Sequence, residues 1–534
     1  MGFPDFIKKN RIPAILFSAL TALVYIPLVC SRYYCADLEY IVNSEGSIYN
    51  WSELGRYTLL LLKKLTFTPY NLYLESILFV ITAFALTIAL AYLLVCLDEK
   101  IKPVFAFLLS SIALIFPTFA EQYYFKFQSF EVIFGILLLI FSFILLINFL
   151  KTKSILSVII SVVLTVLSFG VYQSMLNIAV TSYIGIFLVL LLKKDSKDAF
   201  KCIPLFSLHF FSSFALNKVV ALIFCKEGSY FADKIMWKQF PFTTCFHFVK
   251  HYVRVVLFAE KYVYTYSFLI AILFSLIALI ILLISNKKDS LPSINIAFIL
   301  ISFAALLISP FIIAIIQGFE PDSRTQLALP FTIMFQILFA NRVFGNSSLI
   351  KRRKADDNTE YPETEIASDK RNIRIRILMA CILSVILLNN LIPCERLIYS
   401  RMLINKSDEK YMTAIGEDLK AFNCSLDNAD SVPVILIGTL PCESNILCYK
   451  YNEENKDYIL LSVFDLDADT EPEYFFSTNR IVSAMNITAY RYNKPDVSNF
   501  MNDAYTEAAD MPAYPNAGYI KETDNFVVVN LGNK

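Results

Sequence analysis

Two carboxylates and several cations stand where the chain leaves long apolar runs, and their spacing suggests proton transfer beside an anion. Asp37 and Glu39 follow closely on a first apolar run that ends near residue 31. A carboxylate at such a boundary accepts a proton from a hydroxyl when burial and neighbours tune it toward working pH; the competing reading is a pair of solvated loop charges. The same loop carries Trp51, Gly55 and Arg56. An indole face stacks on sugar rings and also seats in lipid interfaces. A guanidinium is a forked, permanent cation suited to phosphate or carboxylate, or it snorkels to the interface. A second turn, Pro117 to Gln128, is aromatic and polar and holds Glu121 and Lys126. Glu131 follows inside the next apolar run, where an ionisable group normally faces a cavity or a partner. Tyr172 and Gln173 lie between two further runs, and Arg324 sits two residues after Asp322, which offers it a local ion pair.

Other chemistries are excluded early. The 13 glycines are never closer than Gly46 and Gly55, so the clustered glycines of dinucleotide fingerprints, P-loops and nucleophile elbows are missing. His209, His247 and His251 cannot form a zincin motif, because Phe248 and Val249 occupy its interior. His247 and His251 are one helical turn apart near Cys245, a conceivable metal site, but residues 241–256 read better as an amphipathic interfacial helix with the histidines, Lys250 and Arg254 on its wet face. No metal and no cofactor is expected. A formal charge of +1 gives no bias toward nucleic acid.

The elements that position these residues are membrane helices. Of 534 residues, 57% are hydrophobic and 17% charged, against roughly 45–50% and about 25% in soluble domains. About eleven runs reach the ~20-residue length of a bilayer crossing, at 12–31, 72–97, 103–119, 130–150, 154–171, 175–192, 203–225, 263–285, 292–316, 326–344 and 375–393. The fifth and sixth are read as a tight hairpin. Lys and Arg alternate between loops: Lys8, Lys9 and Arg11; Lys100 and Lys102; Lys151 and Lys153; Lys193 to Lys201; Lys287 and Lys288; Lys351 to Lys354 with Lys370 to Arg376. The positive-inside rule then puts the N-terminus in the cytoplasm and the tail outside. A cleaved signal peptide over residues 1–30 is disfavoured, since Val29 before Cys30 is a poor small-residue site.

The expected architecture is a polytopic α-helical membrane protein, with a transmembrane domain over 1–393, a solvated cytoplasmic loop at 345–372 within it, and a small exoplasmic α/β domain over 394–534. That tail predicts a helix near 408–422 and strands at Val432–Gly438, Tyr458–Phe464 and Phe526–Leu531. Large exoplasmic loops are expected at 32–71 and 226–262. Cys35, Cys245, Cys394, Cys424, Cys442 and Cys448 fall on the outer side, either as disulfides, with Cys442 and Cys448 the favoured pair, or as free thiols.

In this order the motifs resemble a known family, the bacterial multi-pass glucosyltransferases typified by the phage-borne serotype-converting glucosyltransferase II. The resemblance rests on Asp37, on Trp51, Gly55 and Arg56, on Pro117 to Glu121 with its trailing aromatics, on Tyr172-Gln173, on Arg324, and on the ending from Pro515 to Gly532. It implies a GT-C-like enzyme at the cytoplasmic membrane that moves a sugar, glucose by the family's type, from a polyprenyl-phosphate donor to a cell-surface glycan or glycolipid outside, as in O-antigen modification. The implied partners are that donor, the acceptor and membrane lipid. The chain departs from the family where an early Asp-Asp-Arg is expected, since Ala36-Asp37 leads to Tyr40, and Gln128 stands where an Asp is expected.

The expected site then has Asp37 as base in one inverting displacement, supported by Glu39 and Glu121. Arg56, Arg324 and Lys126 neutralise the donor phosphate, and Trp51, Tyr172 and Gln173 hold sugar or acceptor. A polysaccharide polymerase or ligase is the enzymatic alternative. A lipid-linked glycan transporter is the other, although transporters commonly carry internal repeats and midplane charges, whereas these residues cluster at the outer interface.

Overall fold

The computed structural model describes residues 2–31, 50–66, 71–192, 197–225, 241–286, 292–318, 320–345, 363–419, 422, 434–440, 449, 458–462, 464 and 500–532, with the backbone alone for 50, 72, 197–198, 241, 286, 363–376 and 458. In chain order the helices are α1 (Phe3–Lys9), α2 (Arg11–Cys30), α3 (Asn50–Glu53), α4 (Tyr57–Thr66), α5 (Leu72–Leu97), α6 (Pro103–Leu114), α7 (Pro117–Tyr124), α8 (Lys126–Thr152), α9 (Ile155–Phe169), α10 (Ser174–Leu191) and α11 (Lys197–Phe224). They continue with α12 (Pro241–Val253), α13 (Ser267–Asn286), α14 (Ser293–Ile308), α15 (Ile312–Gln317), α16 (Leu329–Gly345), α17 (Glu363–Leu419) and α18 (Met501–Ala509).

Every apolar run of the sequence is helical, but the expected count of about eleven crossings is not reached. Eight helices among the described residues are long and apolar enough to cross a membrane, or up to nine if a bent pair forms one span. That pair is α6 and α7, bent by 53°. Pro117 causes the break: it disfavours helical geometry at Phe116, which is extended at φ −146° and ψ 140°. Tyr25 supplies partners to the freed backbone, its hydroxyl accepting from the Phe116 N–H at 3.1 Å and donating to the Leu114 carbonyl at 2.9 Å. The two remaining runs give α9, of 15 residues, and α16, of 17, which are short for a bilayer crossing.

The centre of the bundle is α8, which packs against α5 and α9, while α2 and α6 pack against α5. A second set, α10, α14, α16 and α13, closes the other side. Glycine permits two close approaches. A Cβ at Gly170 would collide with Tyr57 and Thr58 of α4, and one at Gly185 would meet the ring of Phe335. At the end bearing the Lys100–Lys102 turn, Arg342 of α16 pairs with Asp98 after α5.

Three expectations for the flanking regions are corrected. The loop of 32–71 contains the helices α3 and α4, and the last part of the linker 345–372 is already α17. The helix expected near 408–422 is present as the last part of α17, which runs unbroken through Pro393 and ends at Leu419. Tyr458–Phe464 is not a strand; its described residues start with a 3-10 turn at Tyr458–Leu460, because the Ile459 N–H is given to Glu121 instead of to a strand neighbour.

The tail does build a small α/β unit. Strands β1 (Val434–Gly438), β2 (Ile520–Glu522) and β3 (Val527–Gly532) form a sheet with β3 central, parallel to β1 and antiparallel to β2. Val527 and Val529 face Met412, Ile415 and Leu419 of α17, while Phe526 and Val528 face Ala504 and Ala508 of α18. Burial on both faces explains why Val434 to Ile437 are all apolar.

Candidate active site

The site is assembled around residues 125–128, where α8 starts. Gly55, at φ +70°, reverses the chain after α3, with the Gly55 N–H donating to Ser52 at 2.9 Å and the Arg56 N–H to Trp51 at 3.0 Å. That turn launches the Arg56 side chain toward α8. Its Nη1 donates to Gln128 Oε1 at 2.8 Å and its Nε to Gln173 Oε1 at 3.4 Å, and the guanidinium lies 4.7 Å from the Tyr172 ring centre. Gln173 Nε2 in turn donates to the Leu54 carbonyl at 2.6 Å. The loop of Arg56 and the turn of Tyr172 and Gln173 are thus locked together, with Trp51 buried beneath at 6% exposure. The Thr58 N–H donates to the Gly170 carbonyl at 2.9 Å and fixes the same two segments from below.

The other two cations meet the same hub. Arg324 sits in the 3-10 turn Ser323–Thr325, which packs on α7, and its guanidinium lies 4.0 Å from the Phe125 ring centre. It also forms the local pair with Asp322 at 3.6 Å. Lys126 is buried at 3% exposure and donates to the Ser31 carbonyl at the end of α2. Arg56 thus reaches Gln128, Arg324 lies on Phe125, and Lys126 belongs to the same four-residue stretch and reaches Ser31. A cavity of about 300 Å³ opens next to Ser31, lined by Pro27, Leu28 and Ser31 on one side and Arg401, Met402, Asn405 and Glu409 of α17 on the other.

Glu121 lies on α7, fully buried, and its Oε2 accepts the Ile459 N–H at 3.0 Å. Its surroundings tie the bundle to the tail: Arg401 lies 5.3 Å from the Tyr124 ring centre, pairs with Asp408 at 3.3 Å and donates to the Leu461 carbonyl at 2.7 Å. Asp37 and Glu39 lie outside the described residues, as do Cys35, Cys424, Cys442 and Cys448. Cys245 and Cys394 are free thiols. Among the described residues no group of three His, Cys, Asp or Glu side chains could hold a metal. His251 instead accepts a place in the packing, 2.7 Å from Gln326 Nε2 and 3.9 Å from Glu320. Burial pushes its pKa down to about 4.

Sequence reasoning missed one cluster. Glu131, three residues beyond Gln128 and so on the same side of α8, pairs with Lys63 of α4 at 2.9 Å. Lys63 also pairs with Glu75 of α5, and all three are essentially inaccessible. The signal was present: Lys63 and Glu75 are ionisable groups within apolar stretches, as Glu131 is.

A family model described as Glucosyl transferase GtrII matches residues 25–341. The matched stretch holds the whole hub, from Arg56 to Arg324, and stops short of the tail. No curated protein and no solved structure matches the chain.

Proposed function

The chain belongs to the GtrII glucosyl transferase family, and from that premise we propose that it is a membrane enzyme of the outer face that transfers glucose from a polyprenyl-phosphate donor to a hydroxyl of a cell-surface glycan or glycolipid. The observation that carries the proposal is that residues 125–128 bring Lys126 together with two cations from distant segments, Arg56 on Gln128 and Arg324 on Phe125. Fixed cations at one point stabilise the negative charge that grows on a departing phosphate, and they do so without reorganising during the reaction.

In the proposed step the acceptor hydroxyl oxygen attacks the anomeric carbon while the bond from that carbon to the donor phosphate breaks. The bonding pair leaves with the phosphate, beside the three cations. The hydroxyl proton passes to Asp37, and the anomeric configuration inverts. Asp37 is six residues past Ser31, so it lies within ~20 Å of it along an extended chain, and Ser31 itself touches Lys126. That covalent tether supports the pairing of base and clamp. Glu39 and Glu121 support the base, and Trp51, Tyr172 and Gln173 give stacking and amide surfaces for a sugar. The cavity between α2 and α17, polar along Arg401, Asn405 and Glu409 and apolar along Pro27 and Leu28, suits a hydroxylated acceptor.

The test uses purified protein in nanodiscs with radiolabelled polyprenyl-phosphate-glucose. Loss of label from the lipid to an acceptor glycan is expected, with none from a nucleotide sugar. Asp37→Asn should slow turnover by about 10²-fold or more, the scale of a lost general base, while donor binding persists. Turnover from the nucleotide sugar alone overturns the donor assignment, and an active Asp37→Asn overturns the base.

A further inference from the structure

Helix α12 has three distinct sides. At roughly 100° per residue, Phe242, Phe246 and Val249 share one sector, Thr243, His247 and Lys250 a second, and Thr244, Phe248 and His251 a third. The first sector is apolar yet open: Phe242 is 90% exposed, Phe246 65% and Val249 56%. The second is polar and exposed. The third packs on the protein, with Thr244 and His251 buried and Phe248 against the core. A helix on a soluble surface needs only two sides, one for protein and one for water. A third, apolar side needs a third medium.

We infer that α12 lies flat in the surface of the membrane beside the active site, with Phe242, Phe246 and Val249 set among phospholipid acyl chains and Thr243, His247 and Lys250 in the headgroups. Together with the π-helical turn Arg254–Phe258 that continues it, the helix extends at most about 27 Å, still short of a core of about 30 Å, and it carries Lys250, His251 and Arg254 along that length, so it is not a span. The chain leads from this apolar side through further exposed apolar residues to a helix long and apolar enough to cross a membrane. Leu257, Phe258 and Tyr266 remain exposed on the way to α13, and α13, one of the candidate spans, exposes Leu273 and Ile277. Amphipathic helices with aromatic and aliphatic residues on one face and basic residues on the other seat in this way.

The placement gives the helix a task. Its protein side reaches the hub through the hydrogen bond between Gln326 and His251, and Gln326 is two residues from Arg324. A lipid-linked donor drifting in the leaflet would meet α12 before it meets the cation clamp. This last step rests on the proposed glucosyl transfer; the membrane seating does not.

The experiment places the photocrosslinker p-benzoylphenylalanine at Phe246 or, in a second variant, at Phe242, with a third at His247 on the polar side. Each full-length protein is reconstituted in phosphatidylcholine vesicles, irradiated and weighed by mass spectrometry. The 246 and 242 variants should gain one phospholipid mass, and the 247 variant should gain far less. A crosslink from 246 and 242 to a second copy of the chain, or labelling no stronger than at 247, overturns the inference. Labelling needs no turnover, so its failure is distinguishable from failure of the enzymatic reading.

Discussion

Two cations of the same short stretch are handled in opposite ways where they meet α8. Arg56 is oriented by the amide oxygens of Gln128 and Gln173 and by the Tyr172 ring, and it remains partly accessible. Lys63, seven residues later, is sealed from solvent against the carboxylates of Glu75 and Glu131. The described contacts of Arg56 are amides and a ring at the turns between helices, whereas those of Lys63 are carboxylates carried by two neighbouring helices. A place among turns suits a cation that meets a ligand, and a place between helices suits one that holds them together. Chemistry and architecture are therefore separable here within two turns of α8, and substitutions should separate them.

The largest effect is expected from Lys63→Met. It leaves two buried carboxylates without their cation, a defect of about 3–5 kcal/mol, read as a steep loss of monodisperse protein on heating. Adding Glu75→Gln and Glu131→Gln should restore most of the loss, since all three charges then disappear together.

Acidification comes next and strikes neither cation. His251 is neutral when folded, with its pKa pushed down to about 4 by burial among Glu320, Lys261, Arg254 and Gln326. Its ordinary value is about 6.5. The unfolded chain thus binds the proton more readily, and the stability contributed is complete above about pH 6.5 and is lost progressively toward pH 4, by up to about 3 kcal/mol. Glu320 acts in the same direction: burial raises its carboxyl, but the hydrogen bond and charge of Lys261, with Arg254, outweigh burial and hold it below the usual range. A melting curve at pH 5 should fall below that at pH 7, and His251→Phe should flatten the difference. An equal pH slope in that variant contradicts the assignment.

Arg56→Lys should lower turnover by about 2 kcal/mol in barrier, some thirtyfold, because an ammonium cannot reach two amides and a phosphate in a fork. Its melting temperature should be that of the unsubstituted protein. Gly170→Ala should act on both turnover and stability, costing about 1–3 kcal/mol of stability from overpacking against Tyr57 and Thr58, with a smaller fall in turnover than Arg56→Lys as the Tyr172–Gln173 turn shifts from Arg56.

The sequence made much of the fold legible, because apolar composition is a local property. All eleven apolar runs are helical, and the strand β3 was readable from the apolar run Phe526 to Leu531. Which runs are long enough to cross was not, since length depends on where Pro117 and Gly170 interrupt them. The strand expected at Tyr458–Phe464 failed for a related reason: its hydrogen-bond partner is Glu121, some 338 positions earlier in the chain. At the site, residue types pointed to Arg56, Tyr172, Gln173 and Arg324, but no pattern in the chain specifies that Gln128 joins the first three. Gln128 was visible only as a residue standing where an acid was expected. The Lys63 cluster escaped because the stretch of α4 was read as loop, and a buried ion pair is a relation between helices that periodicity does not encode. Asp37 and Glu39 rest on the sequence alone.

The most direct test measures melting temperature and glucose transfer side by side in Arg56→Gln and in the neutral triple Lys63→Met, Glu75→Gln, Glu131→Gln. Arg56→Gln should keep the native melting temperature and lose transfer from polyprenyl-phosphate-glucose. The triple should melt within a few degrees of the unsubstituted protein and keep transfer. Transfer that survives in Arg56→Gln and vanishes in a folded triple would reverse the two roles and contradict the account.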